Sequence, residues 1–469
     1  MVTAARRRRL QPAATLLTLR HKLRASMPNL DPHIVPPHCA RTAPRAEIGV
    51  GPSSRPAWMP WTSTDEQAVR DEVASYKIIE NVAAAACPFG EGHAAASTWL
   101  RRQAEPPKSA TCTDDAARLR ALDLRLLVGV MSAPSMRARR DAIRSTWFSW
   151  VGTHNTLACF AFGRVGPLPA ELAALDAEAA ATRDVIFLPN ASDGCNGRHM
   201  HISKLHGWWA RAAAFVRAVD TLRYVAKVDD DAYLHLPNLH HDLRSLDCVE
   251  HFVYGTIAWI GIRPYPLSKC GYSWPQDAGV FLKRGCHRRG HRPPHPFPVG
   301  ILQVLSRGVV QYVGESNEVS AFAARAASLR EPSRGEDQVL GFWASRARLD
   351  GGLDVAYVKA GPQMGDLRCG DDHVFDLPKG SAPPDAPVAV HHIKVAGGMR
   401  YIDGLLRLNV RHTMRNCTRF CGAGAFRECW SSADLNCRPS RSYRAATPLA
   451  WRANGAARAA KPKGSYRGV

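Results

Sequence analysis

Between residues 122 and 231 the chain alternates short apolar runs with helical patterns, and this alternation limits the fold more than any other sequence feature. The apolar runs predict strands at Leu124–Val130, Thr156–Phe162, Asp184–Leu188 and Tyr224–Val228. The segments between them predict helices at Arg137–Trp150, Pro169–Thr182 and His201–Val219. Strands that alternate with helices form parallel sheets covered by helices, so the sequence predicts an α/β fold with a mostly parallel central sheet.

Fewer regular elements are predicted beyond residue 231. The patterns indicate a strand at Phe252–Ile257, a strand or short helix at Ile301–Leu305, a helix at Glu336–Ala347 and a strand at Val388–Val390. The segment Arg263–Pro298 is rich in Pro, Gly, His and Arg and is predicted to be a long insertion that flanks the active site.

Composition divides the 469 residues into four parts. Residues 1–30 form a basic segment, and the proline-rich residues 31–115 are predicted to be a largely disordered linker or stem, with only short helical stretches possible near 65–80. Residues 116–405 are predicted to form the folded domain, and 406–469 a tail that contains Cys and Arg. No apolar run approaches the length of a membrane-spanning helix, which is about 20 residues. The basic start is typical of an organelle transit peptide or of a disordered tail.

The net charge of +21 is spread over the chain rather than gathered in one patch, so we expect no specific nucleic-acid partner. The 13 cysteines include a cluster at Cys417, Cys421, Cys429 and Cys437. This cluster lacks the paired CxxC spacing of a zinc ribbon, so it favours disulfides in an oxidising compartment over a metal site. Unpaired thiols are the alternative.

The strand Tyr224–Val228 leads directly into three acids, Asp229, Asp230 and Asp231. Open α/β sheets bind ligands at the carboxyl ends of their strands. Side chains two residues apart in an extended chain point the same way, so Asp229 and Asp231 are predicted to share one ligand while Asp230 faces elsewhere. Carboxylates prefer hard cations, which predicts Mn²⁺ or Mg²⁺ neutralising a departing diphosphate. A solvated acidic turn is the alternative.

Five sequence blocks between about residues 125 and 400 occur in the order of a known family. They are Arg140–Trp147 within RRDAIRSTW, Lys204 in HISKL, Lys227–Asp231 (KVDDD), Pro296–Ser306 (PFPVGILQVLS) and Glu336–Gly341 (EDQVLG). In these blocks the chain resembles the inverting β-1,3-glycosyltransferases of family 31, the galactosyltransferase and Fringe-like enzymes. It departs from their pattern at Leu302, Gln303 and Gln338, where the family carries Gly, Tyr and Val.

The resemblance implies a GT-A-type fold and hexosyltransferase activity. The implied reaction moves galactose or an N-acetylhexosamine from a UDP-sugar to a glycan or glycoprotein acceptor through a β-1,3 linkage. The resemblance also implies a membrane-associated enzyme in the Golgi lumen.

The resemblance further implies roles for individual residues. Asp231 is predicted to contact the metal most directly, together with Asp229 and His392 of the His391–His392 pair. The nucleotide-sugar is predicted to contact Arg140, Arg144, Lys204, Asp229 and Asp230. Surface ion pairs are the alternative for the two arginines, and a core or loop histidine is the alternative for the pair.

Asp337 is predicted to be the general base that removes the proton of the acceptor hydroxyl. It lies at the start of a predicted helix, where the helix dipole favours an ionised carboxylate. An ordinary helix-terminal acid is the alternative, and Glu336 is the next candidate for the base.

Two other classes of protein stay open at this point. A basic nucleic-acid-binding protein would interleave basic and aromatic residues on one sheet face, whereas the aromatic residues here fall mainly in predicted loops and helices. A metal-dependent hydrolase would carry further well-spaced acids or histidines, and only His391 and His392 approach that pattern.

Overall fold

The protein is described here by a computed structural model. The described residues are 66–85, 87, 111–153, 155–193, 202–263, 268–287, 293–328, 335–360, 363–366, 375–377, 387–393, 396–408 and 412–414. The predictions for the basic segment 1–30 and for the cysteine cluster at 417–437 lie outside these residues.

Fourteen strands and eleven α-helices occur within the described residues. The strands are β1 Lys77–Ile79, β2 Leu126–Met131, β3 Thr156–Val165, β4 Val185–Ser192, β5 Tyr224–Asp229, β6 Tyr233–Leu234, β7 Phe252–Arg263, β8 Ser268–Ser273, β9 His295–Ser306, β10 Ala356–Lys359, β11 Met364–Asp366, β12 Phe375–Leu377, β13 Ala389–His391 and β14 His412–Met414. The helices are α1 Glu66–Ala74, α2 Ala116–Ala121, α3 Arg137–Arg144, α4 Pro169–Thr182, α5 Ile202–Ala218, α6 Leu236–Ser245, α7 Ala278–Lys283, α8 Arg307–Glu315, α9 Asn317–Ser328, α10 Glu336–Leu349 and α11 Ala396–Leu408.

The central sheet has the strand order β1-β10-β7-β9-β5-β2-β3-β4, with β8 paired to β7. Strand β9 runs antiparallel to both of its neighbours, β5 and β7, and the other pairs along this order are parallel. The predicted α/β class with a mostly parallel sheet is therefore confirmed. The segment that could have been a strand or a short helix is part of strand β9.

Helices cover both faces of this sheet. One core contains Leu205 of α5 and Val339 of α10, and the core on the opposite face contains Ile143 of α3 and Leu239 of α6. All six residues of β2 are buried, because a strand covered on both faces needs apolar side chains on each. The continuous apolar runs of the sequence have the same cause.

The predicted linker at 31–115 is wrong for residues 66–85. Helix α1 buries Val69 and Val73, and strand β1 pairs in parallel with β10 at the edge of the central sheet. Two disulfides, Cys87–Cys248 and Cys112–Cys159, also join this region to the folded domain. Helix α1 lies where the sequence allows short helical stretches, near 65–80, but the local pattern misses β1, because a three-residue strand is stable only beside a distant partner.

The predicted helix Arg137–Trp150 is shorter than expected. Helix α3 ends at Arg144, and a 3-10 helix covers Trp147–Thr153. The Thr146 hydroxyl donates to the carbonyl of Ala142 at 2.7 Å, a local bond that competes with regular helix. Among the helices of the described residues, none is both long and apolar enough to cross a bilayer.

Candidate active site

The acidic triplet lies where β5 ends, at the carboxyl edge of the parallel part of the sheet. Asp229 and Asp231 lie on one side, as the alternation predicts, and together with His391 they form a group whose ligand atoms all lie within 4.8 Å of one another. His391 Nε2 is 3.2 Å from Asp231 Oδ1 and 3.7 Å from Asp229 Oδ2. Two carboxylates and one imidazole can hold a divalent cation.

Backbone pairing brings His391 to this position. Strand β6 follows the triplet and pairs antiparallel with β13, which ends at His391. The amide of Ile393 also donates to the carbonyl of Asp231 at 2.8 Å. His392 has a φ of 62°, which turns the chain, and its ring stacks on that of His391 at 3.9 Å. The structure thus groups His391, rather than the predicted His392, with Asp229 and Asp231, and His392 as a metal ligand stays a prediction.

Lys227 connects the triplet to the start of helix α10. Its side chain is fully buried, and its Nζ lies 3.0 Å from Asp229 Oδ1 and 3.9 Å from Glu336 Oε1. Burial alone would raise the pKa of Asp229, but the charge of Lys227 and the contact with His391 lower it below its ordinary value. The lysine therefore keeps Asp229 ionised with one oxygen engaged and the other near His391.

Asp230 faces a different part of the molecule. Its Oδ1 accepts a hydrogen bond from Arg139 at 2.9 Å, and its Oδ2 accepts one from the hydroxyl of Ser132 at 2.8 Å. Ser132 directly follows β2, the parallel neighbour of β5, so the two residues meet at the same sheet edge. These contacts fix the middle acid of the triplet, whose predicted contact with the nucleotide-sugar stays a prediction.

Arg140 and Arg144 form ion pairs with helix α4 and the residues that follow it. Arg140 is buried and donates to Glu178 at 2.9 and 2.7 Å, and Arg144 donates to the same carboxylate at 2.6 Å and to Asp184 at 2.7 Å. This geometry favours pairing with acids, the alternative to the predicted contact with the nucleotide-sugar. The contact of the two arginines with the nucleotide-sugar stays a prediction.

Arg140 and Lys204 instead converge on Ser132. Arg140 Nη1 donates to Ser132 Oγ at 3.1 Å, and Lys204 Nζ donates to the Ser132 carbonyl at 2.6 Å. Lys204 also forms a buried ion pair with Asp193. Two of the residues predicted to contact the nucleotide-sugar thus position the serine that binds Asp230.

The predicted base lies in the first turn of α10. Gly335 precedes this helix with a φ of 110°, a conformation that residues with a Cβ rarely adopt. Gly341, one turn further along, lets the helix lie against β9, since a Cβ there would come within 2.2 Å of the Phe297 Cβ. The two glycines place Glu336 and Asp337 against the sheet, beside the buried end of Lys227.

Both acids have raised pKa values. Burial is the main cause for each, and it raises the pKa of Glu336 to about 7. For Asp337 the charge of Lys227 and the hydrogen bond from the Gln338 amide, at 2.9 Å, oppose the effect of burial in part. A carboxylate with a raised pKa is a stronger base when it is ionised, which suits the removal of a proton from a hydroxyl group.

Sequence reasoning did not assign roles to Lys227, Arg139 or Ser132. Lys227 stands in the KVDDD block, two residues before Asp229, and Ser132 follows the strand beside the triplet strand. Attention to the carboxyl ends of neighbouring parallel strands would have found Ser132. Arg139 carries no comparable signal, because it is one of several arginines on a short helix.

A cluster of two aspartates and a histidine at the carboxyl edge of an α/β sheet, with an acid-bearing helix start beside it, is typical of cation-assisted group transfer.

Sequence comparison finds relatives among the glycosyltransferases. The chain is 29% identical over 197 residues to mouse N-acetyllactosaminide β-1,3-N-acetylglucosaminyltransferase 4, covering 41% of this chain and 51% of that protein. It is 33% identical over 133 residues to mouse β-1,3-galactosyltransferase 6, covering 28% of this chain and 38% of that protein. The resemblance to β-1,3-glycosyltransferases is confirmed.

These matches are partial, since the chain spans about half, or less, of the length of the curated relatives it matches. No known family profile matches it. Among solved structures it is similar to the apo form of mouse xyloside xylosyltransferase 1, with 11% identity and a TM-score of 0.26 over 52% of this chain and 87% of that one. It is also similar to the mannosyltransferase Ktr4p of S. cerevisiae, with 10% identity and a TM-score of 0.29 over 62% of this chain and 83% of that one. Both TM-scores are too low to support a conclusion.

Proposed function

We propose that this protein is an inverting, cation-dependent hexosyltransferase that moves galactose or an N-acetylhexosamine from a UDP-sugar to a glycan or glycoprotein acceptor through a β-1,3 linkage. One observation carries the proposal. The carboxylate and histidine cluster Asp229, Asp231 and His391 is connected through Lys227 to the helix start that bears Asp337. The similarity to mouse β-1,3-glycosyltransferases supports the donor and the linkage.

The three clustered side chains fit Mn²⁺ or Mg²⁺. Carboxylate oxygens are hard ligands, and an imidazole nitrogen adds a preference for Mn²⁺ over Ca²⁺. When bound, the cation supplies positive charge that stabilises the diphosphate of the leaving UDP. Hydrogen bonds from Ser132 and Arg139 position Asp230 beside this cluster, and an ion pair with buried Lys227 positions Asp229.

Asp337 acts as the base in this proposal. Its carboxylate accepts the proton of the acceptor hydroxyl while that oxygen forms a bond to the anomeric carbon of the sugar. The bond from the anomeric carbon to the UDP oxygen breaks, and UDP departs with the electron pair. Attack opposite the leaving group inverts the configuration at the anomeric carbon.

The compartment proposed for this reaction is the Golgi lumen, with the protein associated with the membrane. Three disulfides within the described residues, Cys87–Cys248, Cys112–Cys159 and Cys270–Cys286, support an oxidising lumen.

A donor screen tests the proposal. The full chain is incubated with UDP-galactose, UDP-N-acetylglucosamine and UDP-N-acetylgalactosamine, with Mn²⁺ or with a chelator, and the release of UDP is measured. We expect release from at least one donor, abolished by the chelator and reduced by orders of magnitude in Asp231→Asn. Asp354→Asn, which changes an exposed acid far along the sequence, is the control and should keep wild-type rates. Salt-sensitive retention of nucleic acid without release of UDP would contradict the proposal.

A further inference from the structure

Two exposed aromatic side chains occur together on one hairpin. Among the described residues, the large exposed hydrophobic side chains are Val165, Leu168, Tyr272, Trp274 and Leu349. Tyr272, at 41% exposure, and Trp274, at 53%, are the aromatic members of this set, and their rings meet edge to face at 5.6 Å. Adjacent exposed aromatic rings on a folded domain commonly mark a binding site.

Disulfide Cys270–Cys286 braces this hairpin. It joins β8 to the turn after helix α7, while β8 itself pairs antiparallel with β7. The Tyr272 ring also lies 6.0 Å from that of Phe297 in β9. A binding surface held in this way loses little freedom when a ligand settles on it.

Tyr272 lies on the sheet face that carries the predicted base. Ile260 of β7 pairs with Tyr272 on one side and with His295 of β9 on the other, and residues directly opposite in antiparallel strands share a face. His295 Nε2 lies 3.3 Å from the carbonyl of Gln338, the residue after Asp337. The first turn of α10 therefore stands over β9, on the same face as the hairpin aromatic residues.

Asp337 lies between the cation cluster and this hairpin. The strand order across this part of the sheet is β5, β9, β7 and β8. The cluster and the hairpin are also offset along the strands, since Val228 at the end of β5 pairs with Leu302 of β9 whereas Tyr272 lies level with His295. Burial raises the pKa of Asp337, and the lysines that oppose it stand on both sides, Lys227 in β5 and Lys269 in β8. A base that bridges donor and acceptor needs the acceptor on the side away from the cation.

We propose that Tyr272 and Trp274 form the acceptor subsite, in which the ring of an acceptor hexose stacks so that its hydroxyl faces Asp337. This inference rests on the proposed function and identifies the acceptor as a saccharide recognised by its ring. The apolar face of a hexose suits an exposed aromatic ring, while exposed Lys269 on the same strand supplies a hydrogen-bond donor to its hydroxyls.

The test compares Trp274→Ala and Tyr272→Ala with Trp274→Phe, which keeps an aromatic ring, and with Leu349→Ala, which removes an equally exposed side chain at the far end of α10. Methyl β-galactoside and methyl β-N-acetylglucosaminide are the acceptor probes. Saturation-transfer NMR measures their binding to the full chain without donor, and UDP release with and without each probe separates transfer from hydrolysis.

We expect each alanine variant to raise the acceptor KM, or to weaken probe binding, by about tenfold. The KM for the UDP-sugar and the rate of hydrolysis should stay within about twofold, and the Phe and Leu349 variants should behave like the wild type. Equal losses in transfer and hydrolysis, or wild-type probe binding in both alanine variants, would overturn the inference. If no UDP-sugar is turned over, the proposed function fails, but the binding measurement still tests the subsite. Probe binding that is lost in Trp274→Ala would then support the subsite on its own.

Discussion

The Nζ atom of Lys227 lies 3.0 Å from the Oδ1 atom of Asp229, which leaves the second oxygen of that carboxylate beside His391. The ion pair is inside the protein, because the lysine side chain is fully buried and Asp229 is less than one-third exposed. Glu336 approaches the same ammonium group from helix α10. The buried ammonium group of Lys227 thus lies between the acid of the proposed cation site and the start of helix α10, which bears the proposed base.

Lys227→Met should destabilise the protein strongly. It leaves Asp229 and Glu336 without their counter-charge in a buried place, and breaking a buried pair costs about 3–5 kcal/mol. Urea unfolding in the presence of a chelator measures the free energy of unfolding. The matched control is Lys77→Met, which breaks an exposed pair with Asp354 and should cost at most about 1 kcal/mol. Equal effects of the two changes would show that Lys227 stabilises nothing beyond an ordinary surface pair.

The adjacent histidines provide a test of the cation site. His391→Asn should weaken Mn²⁺ binding by at least about tenfold, the scale known for losing groups that merely orient a metal ligand. His392→Asn should bind Mn²⁺ almost as the wild type does. Asparagine is used at both positions because it tolerates the positive φ of residue 392. Calorimetric titration with Mn²⁺ measures the two affinities, and a larger loss at residue 392 would favour His392, the ligand predicted from the sequence.

The acid stability of the fold should depend on Glu178. Burial would raise the pKa of this carboxyl, but the hydrogen bonds and charges of Arg140 and Arg144 outweigh burial and lower it to about 2. Because the pKa in the folded state lies below that in the unfolded chain, its contribution to stability is present above about pH 4.5 and is lost as the pH falls toward 2.

Glu178→Gln should therefore lower the urea midpoint at neutral pH and flatten its decline between about pH 4.5 and 2. Asp176 lies on the same helix as Glu178 and forms an exposed pair with Arg164 of β3, so Asp176→Asn should leave the decline unchanged. The comparison needs urea midpoints at several pH values in that range. A decline as steep in Glu178→Gln as in the wild type would mean that another carboxylate governs acid unfolding.

Asp337→Asn tests whether Asp337 is the catalytic base or only a structural acid at the start of a helix. If Asp337 is the base, the variant should bind UDP-sugar normally while transfer falls by about 10²–10⁴. The fold should tolerate the change, because asparagine can still accept the hydrogen bond that the Gln338 amide donates to Oδ1. Donor binding by calorimetry and transfer by UDP release are the two measurements. Near-normal transfer would make Glu336 the next candidate, with Glu336→Gln as its test.

Much of the fold is visible in the sequence because its elements follow local periodicity. The strands and helices between residues 122 and 231 all occur, and the alternation at the end of β5 predicts that Asp229 and Asp231 point together. The choice between His391 and His392 could not be made in this way. It depends on the pairing of β13 with β6 and on a positive φ, and neither leaves a local pattern.

The contacts of the site are harder to predict than its elements. Lys227 stands next to the triplet in the sequence, yet its second partner, Glu336, comes from a helix far along the chain. The roles of Arg140 and Lys204 likewise depend on Ser132, which both residues hold from different helices. Such convergence is a property of tertiary packing, so patterns within single elements cannot show it.

Strand β1 has a practical consequence for anyone who isolates the folded domain. A fragment that begins at residue 116, where the sequence suggests the domain starts, would lack the strand that pairs with β10. The amides and carbonyls along that side of β10 would then be open to pairing with another molecule, the usual origin of edge-to-edge aggregation. The three residues of β1 therefore act as a protective cover for the sheet, and solubility, more than catalysis, is the property their removal would damage.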